Sequence, residues 1–202
     1  MDVYLGIQAK GRRIDLGLAG FVSEKNLPEE QEAASKIREV VLNDLIFCLY
    51  FNVQESDQPF MLGNEINFKP WRDMNSDVLA VAFVELKSSF VDLKLKAYDV
   101  ESGQVIWTKN FYATMNEHRK LAHMISNEVV FRLTGQKGIA ESKIVFSNDA
   151  SGHKEIYTAD YDGYNVKRLT YNKSISIFPR WSPDGEHICF TSFHHGNPDL
   201  FI

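Results

Sequence analysis

Apolar and polar positions alternate at the start of the chain. Val3-Tyr4-Leu5-Gly6-Ile7 and Ile14-Asp15-Leu16-Gly17-Leu18 both show the two-residue period of a strand, with the turn-forming stretch Ala9-Lys10-Gly11 between them. The two are expected to lie side by side in one sheet. The period then lengthens to that of a helix. Ala33, Ala34, Ile37, Val40, Val41 and Leu45 fall on one helical face, Asn26 is placed to cap it, and Pro28, Glu29, Glu30 and Glu32 occupy the first turn. Free N–H groups and the helix dipole favour negative charge there. Ser76 to Val84 is a continuous apolar strand, the pattern of a strand covered on both faces. In Phe90 to Tyr98, by contrast, Val91, Leu93, Leu95 and Ala97 alternate with Asp92, Lys94 and Lys96, so one face meets water. Asp99-Val100-Glu101-Ser102-Gly103 turns the chain into a returning strand from Gln104 to Tyr112. A second helix is expected from about Asn116 to Leu133, burying Leu121, Ala122, Ile125, Val129 and Leu133, with Gly135 placed to end it. Residues 1–139 therefore predict an α/β domain, a mixed sheet with two helices.

Near residue 140 the style changes to short strands and turns. Ile144, Phe146, Gly152, Ile156 and Tyr157 recur as Ile188, Phe190, Gly196, Leu200 and Phe201, each pair 44 residues apart. An all-strand period of this length is that of four-stranded propeller blades. One unit reads as Phe178 to Ser182, Glu186 to Ser192, Asp199 onward, and a last strand like Lys167-Arg168-Leu169-Thr170. Residues 140–202 predict the opening of an all-β propeller, about one and a half blades, in a chain expected to be a truncated piece of a longer protein. Open strand edges around Phe190 and Leu200 predict self-association. Light scattering at high concentration is expected to show species larger than a monomer, and a strict monomer would contradict this.

Charge and composition narrow the function classes. Lys plus Arg number 22 against 27 Asp plus Glu, with no basic block, so a nucleic-acid platform is not expected. The longest apolar runs, Leu45 to Phe51 and Val78 to Val84, are far shorter than the roughly 20 residues of a membrane helix. The N-terminus lacks the basic region and apolar stretch of a secretory signal. It fits either an intracellular protein or a mature exported chain with an added Met. Cys48 and Cys189 have no CxxC partner and read as small buried hydrophobes; a disulfide between them would require export and a proximity that sequence does not show.

Each chemically suggestive residue also has a structural reading. His118 and His123 are five apart, not the four that aligns two zinc ligands on a helix. His123 is expected to be a packed or hydrogen-bonded helix residue. His194-His195 reads as an exposed turn, because adjacent residues point apart and no third ligand is evident. Asp160 and Asp162 lack the remaining oxygens of a calcium loop, and Asp162-Gly163 is a hairpin turn. Phe178 and Trp181 read as packing between repeats. No nucleophile elbow, phosphate loop or spaced carboxylate pair is present. No enzyme activity, metal or cofactor is expected.

Trp181-Ser182-Pro183-Asp184-Gly185, preceded by Phe178-Pro179 and followed by Ile188-Cys189-Phe190, resembles the propeller repeat of the TolB family. More specific is the stretch from Arg119 to Val129, then Leu133-Thr134-Gly135-Gln136-Lys137-Gly138-Ile139, which is similar to the end of that family's N-terminal domain and its passage into the first blade. Asp160-Tyr161-Asp162-Gly163-Tyr164-Asn165, Ala97-Tyr98-Asp99-Val100 with Gly103, Pro70-Trp71 and Ser76-Asp77-Val78-Leu79 also fit. The chain departs from the family at Cys48-Leu49, where a Ser-Gly turn is usual, so a rebuilt loop is expected there.

The resemblance implies a non-catalytic periplasmic scaffold of the Tol-Pal envelope machinery, serving outer-membrane integrity, constriction at cell division and protein import. Its propeller would bind the outer-membrane lipoprotein Pal. Its N-terminal segment, here Asp2, Val3, Tyr4 and Leu5, would bind the C-terminal domain of TolA, most simply by strand addition. The alternative is the propeller that gates a serine peptidase or other hydrolase with catalytic residues beyond Ile202. That reading leaves the α/β domain unexplained.

Overall fold

The computed structural model describes residues 13–23, 25–57, 61–62 and 65–202. The chain divides into two compact units, Met1–Ala140 and Glu141–Ile202. In the first, strands β1 (Ile14–Leu18) and β2 (Val22–Ser23) lead into helix α1 (Pro28–Phe47) and strand β3 (Phe51–Glu55). A small hairpin, β4 (Met61–Leu62) and β5 (Glu65–Ile66), and the short helix α2 (Lys69–Asp73) follow. Strands β6 (Val78–Lys87), β7 (Phe90–Asp99) and β8 (Val105–Thr114), then helix α3 (His118–Thr134), complete the unit.

The main sheet runs β3-β1-β6-β7-β8, with β2 pairing β6 beyond the end of β1. β1 lies parallel to both β3 and β6, while β6, β7 and β8 form an antiparallel meander. Among the described residues β1 is thus paired by β3 on one edge and by β6 on the other. Val3–Ile7, expected beside β1, lies outside the described residues.

Strand alternation divides the core in two. Val78, Ala80, Ala82 and Val84 of β6 join Val91, Leu93, Leu95 and Ala97 of β7 against Ile37, Val41 and Leu45 of α1 and Leu121, Ile125 and Val129 of α3. Leu79 and Val81 face the other way and pack with Ala19, Trp71, Tyr98 and Val100. The sheet centre is therefore covered on both faces, as the unbroken apolar run of β6 predicts. On β7 the Lys96 ammonium lies 5.3 Å from the Phe83 ring centre. The expected hairpin between β7 and β8 is closed by Gly103, at φ 69°, whose N–H donates to the Asp99 carbonyl at 2.9 Å.

The cap of α1 differs from expectation. Pro28 excludes the helical conformation from the residue before it, so Leu27 is extended (φ −82°, ψ 142°) and becomes the cap, while Asn26 takes a left-handed φ of 55°. The helix start is held instead by Glu30. Its carboxylate accepts hydrogen bonds from Ser23 Oγ at 2.5 Å, Lys25 N–H at 2.9 Å and Leu86 N–H at 2.8 Å, tying α1 to the ends of β2 and β6. Burial pushes this carboxyl up, but the Ser23, Leu86 and Lys25 donors more than offset that and hold it below the ordinary glutamate value.

At its other end α1 stops at Cys48, and Leu49 carries the chain round at φ 63°. A side chain in this left-handed conformation costs about 1–2 kcal/mol, which glycine avoids. Leu49 is 62% exposed, so little burial opposes the change. Leu49→Gly is expected to stabilise the unit by about 0.5–1 kcal/mol after the glycine entropy cost, read as a higher urea midpoint at unchanged slope.

The second unit is two antiparallel sheets, β11-β10-β9 and β12-β13-β14. Their strands are β9 (Lys143–Asn148), β10 (Glu155–Asp160), β11 (Lys167–Arg168), β12 (Ser176–Trp181), β13 (Ile188–Ser192) and β14 (Asp199–Phe201). The sequence repeat is a structural one. Phe146 faces Tyr157 across β9 and β10 with stacked rings 5.9 Å apart, and Phe190 faces Phe201 across β13 and β14 at 5.7 Å. Gly152 and Gly196 close the corresponding turns at φ 89° and 91°.

Candidate functional site

The two sites expected from the sequence are the N-terminal segment and the propeller repeat motif. Asp2, Val3, Tyr4 and Leu5 lie outside the described residues. The described chain begins at Arg13, and the Ile14 N–H donates to the Tyr50 carbonyl at 3.1 Å, which ties the start of β1 to the turn after α1. Ile46, Phe47, Leu49 and Tyr50 all expose apolar surface there.

The motif Trp181-Ser182-Pro183-Asp184-Gly185 forms the turn between β12 and β13. Ser182 Oγ donates to Asp184 and accepts the His187 N–H at 2.9 Å, and Asp184 Oδ1 accepts the Glu186 N–H at 3.0 Å. The Gly185 N–H closes on the Ser182 carbonyl at 3.0 Å with φ 74°. Hydrogen bonds from the Ser182 hydroxyl and then the Glu186 N–H hold the Asp184 carboxyl below the usual aspartate value. Serine, aspartate and glycine occur at this spacing because the turn needs two side-chain acceptors and one left-handed residue. The Asp184, Glu186 and His187 donor atoms lie within 4.8 Å of one another, but all three residues are exposed and Asp184 Oδ1 already serves the turn.

Trp181 is half-buried, but Phe178, expected to pack between repeats, is 75% exposed. A bulge between Ile177 and Arg180 accounts for this, because the extra residue in β12 breaks the strand register and Phe178 takes a left-handed φ of 55°.

The other chemically suggestive residues have structural roles. His123 Nδ1 lies 2.8 Å from Asp44 Oδ2, and this buried pair joins α3 to α1. His118 Nδ1 sits 3.3 Å from the Met115 carbonyl, and His194 and His195 are exposed in a turn. Asp160 is bridged by Asn165 across the hairpin that Gly163 closes at φ 85°. Both cysteines are free, and burial pushes the Cys48 thiol above its ordinary value.

Sequence patterning alone missed a clasp at Glu155. This fully buried carboxylate takes a hydrogen bond from Thr170 Oγ1, another from Arg168 Nη2 at 2.9 Å and a third from the Lys173 N–H at 2.9 Å. It fastens the connection between the two sheets to the start of β10. The one sequence signal was the 44-residue repeat, which puts Asp199 at the equivalent position.

Comparison with known proteins places the geometry in a family. The model of the TolB amino-terminal domain matches residues 7–106, and that of the TolB beta propeller domain matches residues 130–202. The Tol-Pal system protein TolB of Desulfosudis oleivorans is 32% identical over 197 residues, covering 94% of this chain and 45% of that protein. The TolB homolog of Chlorobium chlorochromatii is 39% identical over 140 residues, covering 69% of this chain and 32% of that protein. In fold, the crystal structure of TolB from Acinetobacter baumannii superposes with a TM-score of 0.76 at 19% identity, over 94% of this chain and 46% of that one. The chain thus spans less than half the length of these relatives. With both family models matched in their order along the chain, an α/β unit followed by propeller sheets, this chain belongs to the TolB family.

Proposed function

We propose that the chain is a non-catalytic, periplasmic scaffold of the Tol-Pal envelope system. Asp2, Val3, Tyr4 and Leu5 would bind the C-terminal domain of TolA, and the propeller side, residues 140–202 and their continuation, would bind the lipoprotein Pal. In this reading residues 1–139 form the TolB-like N-terminal domain and 140–202 about one and a half blades. The observation that carries it is the joint match to both family models, in relatives named Tol-Pal system proteins. In support, the histidines and aspartates that could suggest catalysis are used in a buried pair, a hairpin and turns. No helix among the described residues is long and apolar enough to cross a membrane.

The mechanism is linkage between two surfaces, and it requires a coupling free energy. Calorimetric titration of a soluble Pal domain into the protein carrying a complete propeller is expected to give saturable binding and to change the affinity for TolA. Absence of Pal binding would remove the propeller half of the proposal, and equal TolA affinity with and without Pal would remove the coupling.

A further inference from the structure

The residues leading out of α3 do not run free. Gly135 ends the helix at φ 71°, its N–H bonded to the Phe131 carbonyl at 2.8 Å, and turns the chain back along α3. Gln136 N–H then donates to Thr134 Oγ1 at 3.1 Å, and Ala140 N–H to Asn127 Oδ1 at 2.9 Å. Between these two bonds Gly138 crosses Asn127 so closely that a β-carbon there would sit 2.6 Å from the Asn127 Cα, a contact no side-chain rotation relieves. Ala140 is buried at the end of this path, while Lys137 stays exposed. Asn127 itself stands one helical turn after His123, the residue that pairs with Asp44 of α1.

We propose that Asn127 and Gly138 form a clasp that makes the connector Gln136–Ala140 part of the first unit, with Asn127 as its positioning residue. The connector then moves with α3, and α3 is pinned to α1 by the buried His123–Asp44 pair. The path from Gly135 to Ala140 is thereby fixed to α3 and not a slack tether. The clasp also gives a physical reason for Gly138 in the stretch from Leu133 to Ile139, since only a residue without a β-carbon can pass Asn127 at this distance.

Trypsin cleavage of the full chain after Lys137, scored against cleavage after Lys94 in β7, tests this. Asn127→Ala removes the acceptor and is expected to raise the Lys137-to-Lys94 cleavage ratio about tenfold, with faster amide exchange at Ala140. Asn127→Asp keeps an oxygen at the same place and is expected to restore the wild-type ratio. Gly17→Ala, which loosens the same unit away from the clasp, is expected to raise cleavage at Lys94 without raising the Lys137-to-Lys94 ratio. An unchanged ratio in Asn127→Ala would overturn the proposal, and so would wild-type cleavage at Lys137 as fast as in an unstructured peptide.

Discussion

A single methyl group at Gly17 is expected to destabilise the first unit by about 2–3 kcal/mol. A β-carbon at this position would lie 2.7 Å from Trp71 Cε3, 3.1 Å from Trp71 Cζ3 and 3.2 Å from Leu79 Cδ1. Neither side chain has anywhere to go, since both Trp71 and Leu79 are fully buried. Gly17 lies in β1, so Gly17→Ala would also strain a strand paired on both edges. The lower conformational entropy of an unfolded alanine returns well under half of the loss, about 0.4–1 kcal/mol. Urea unfolding is the check, and a midpoint within error of wild type would mean the indole plane is not fixed by Gly17. Trp71→Phe in the Gly17→Ala background, by vacating part of the indole volume, is expected to recover some of the stability.

Glu155→Ala is expected to cost the second unit about 3 kcal/mol. The substitution leaves Arg168 without its anion and the Lys173 N–H and Thr170 hydroxyl without their acceptor. Burial alone would raise this carboxyl, but the Thr170 hydroxyl, the Lys173 N–H and the Arg168 guanidinium outweigh it and hold it below the ordinary glutamate value. The sign follows from linkage. A carboxylate whose folded value is depressed contributes its stability above the unfolded value, about 4.3, and loses it as pH falls toward the folded one. Glu30 acts in the same sense in the first unit. Wild type is therefore expected to lose stability as pH drops below about 4.5, and Glu155→Gln to lose less over that window because its amide does not titrate. Parallel acid sensitivity in both proteins would show that the Glu155 clasp does not contribute.

The elements legible in the sequence were those whose periodicity their packing enforces. Val91, Leu93, Leu95 and Ala97 are buried as their alternation requires, and Ala34, Ile37, Val41 and Leu45 line the helix face against the sheet. The boundary between α1 and β3 was legible only through the family resemblance, which puts a turn at Cys48-Leu49, and not in the apolar pattern. Leu45 to Phe51 is an unbroken apolar run, and the residue that turns it, Leu49, carries none of the usual signs of a left-handed cap. Nor could sequence pair Gly17 with Trp71, because their contact joins a strand to a helix across more than 50 positions. Glu155 in a strand reads as a solvent-facing residue, and its burial depends on Arg168 and Thr170 closing over it from the next connection. The motif turn at Ser182 and Asp184 was fully legible, because its hydrogen bonds are local.

The proposed scaffold would recruit TolA through its N-terminal segment. The most direct test is calorimetric titration of a soluble TolA C-terminal domain into the chain and into a variant lacking Met1 to Leu5. Saturable binding to the full chain that disappears in the shortened one is the predicted result. Binding that survives the deletion would contradict the assignment to Asp2, Val3, Tyr4 and Leu5, and no binding to either chain would contradict the TolA role itself.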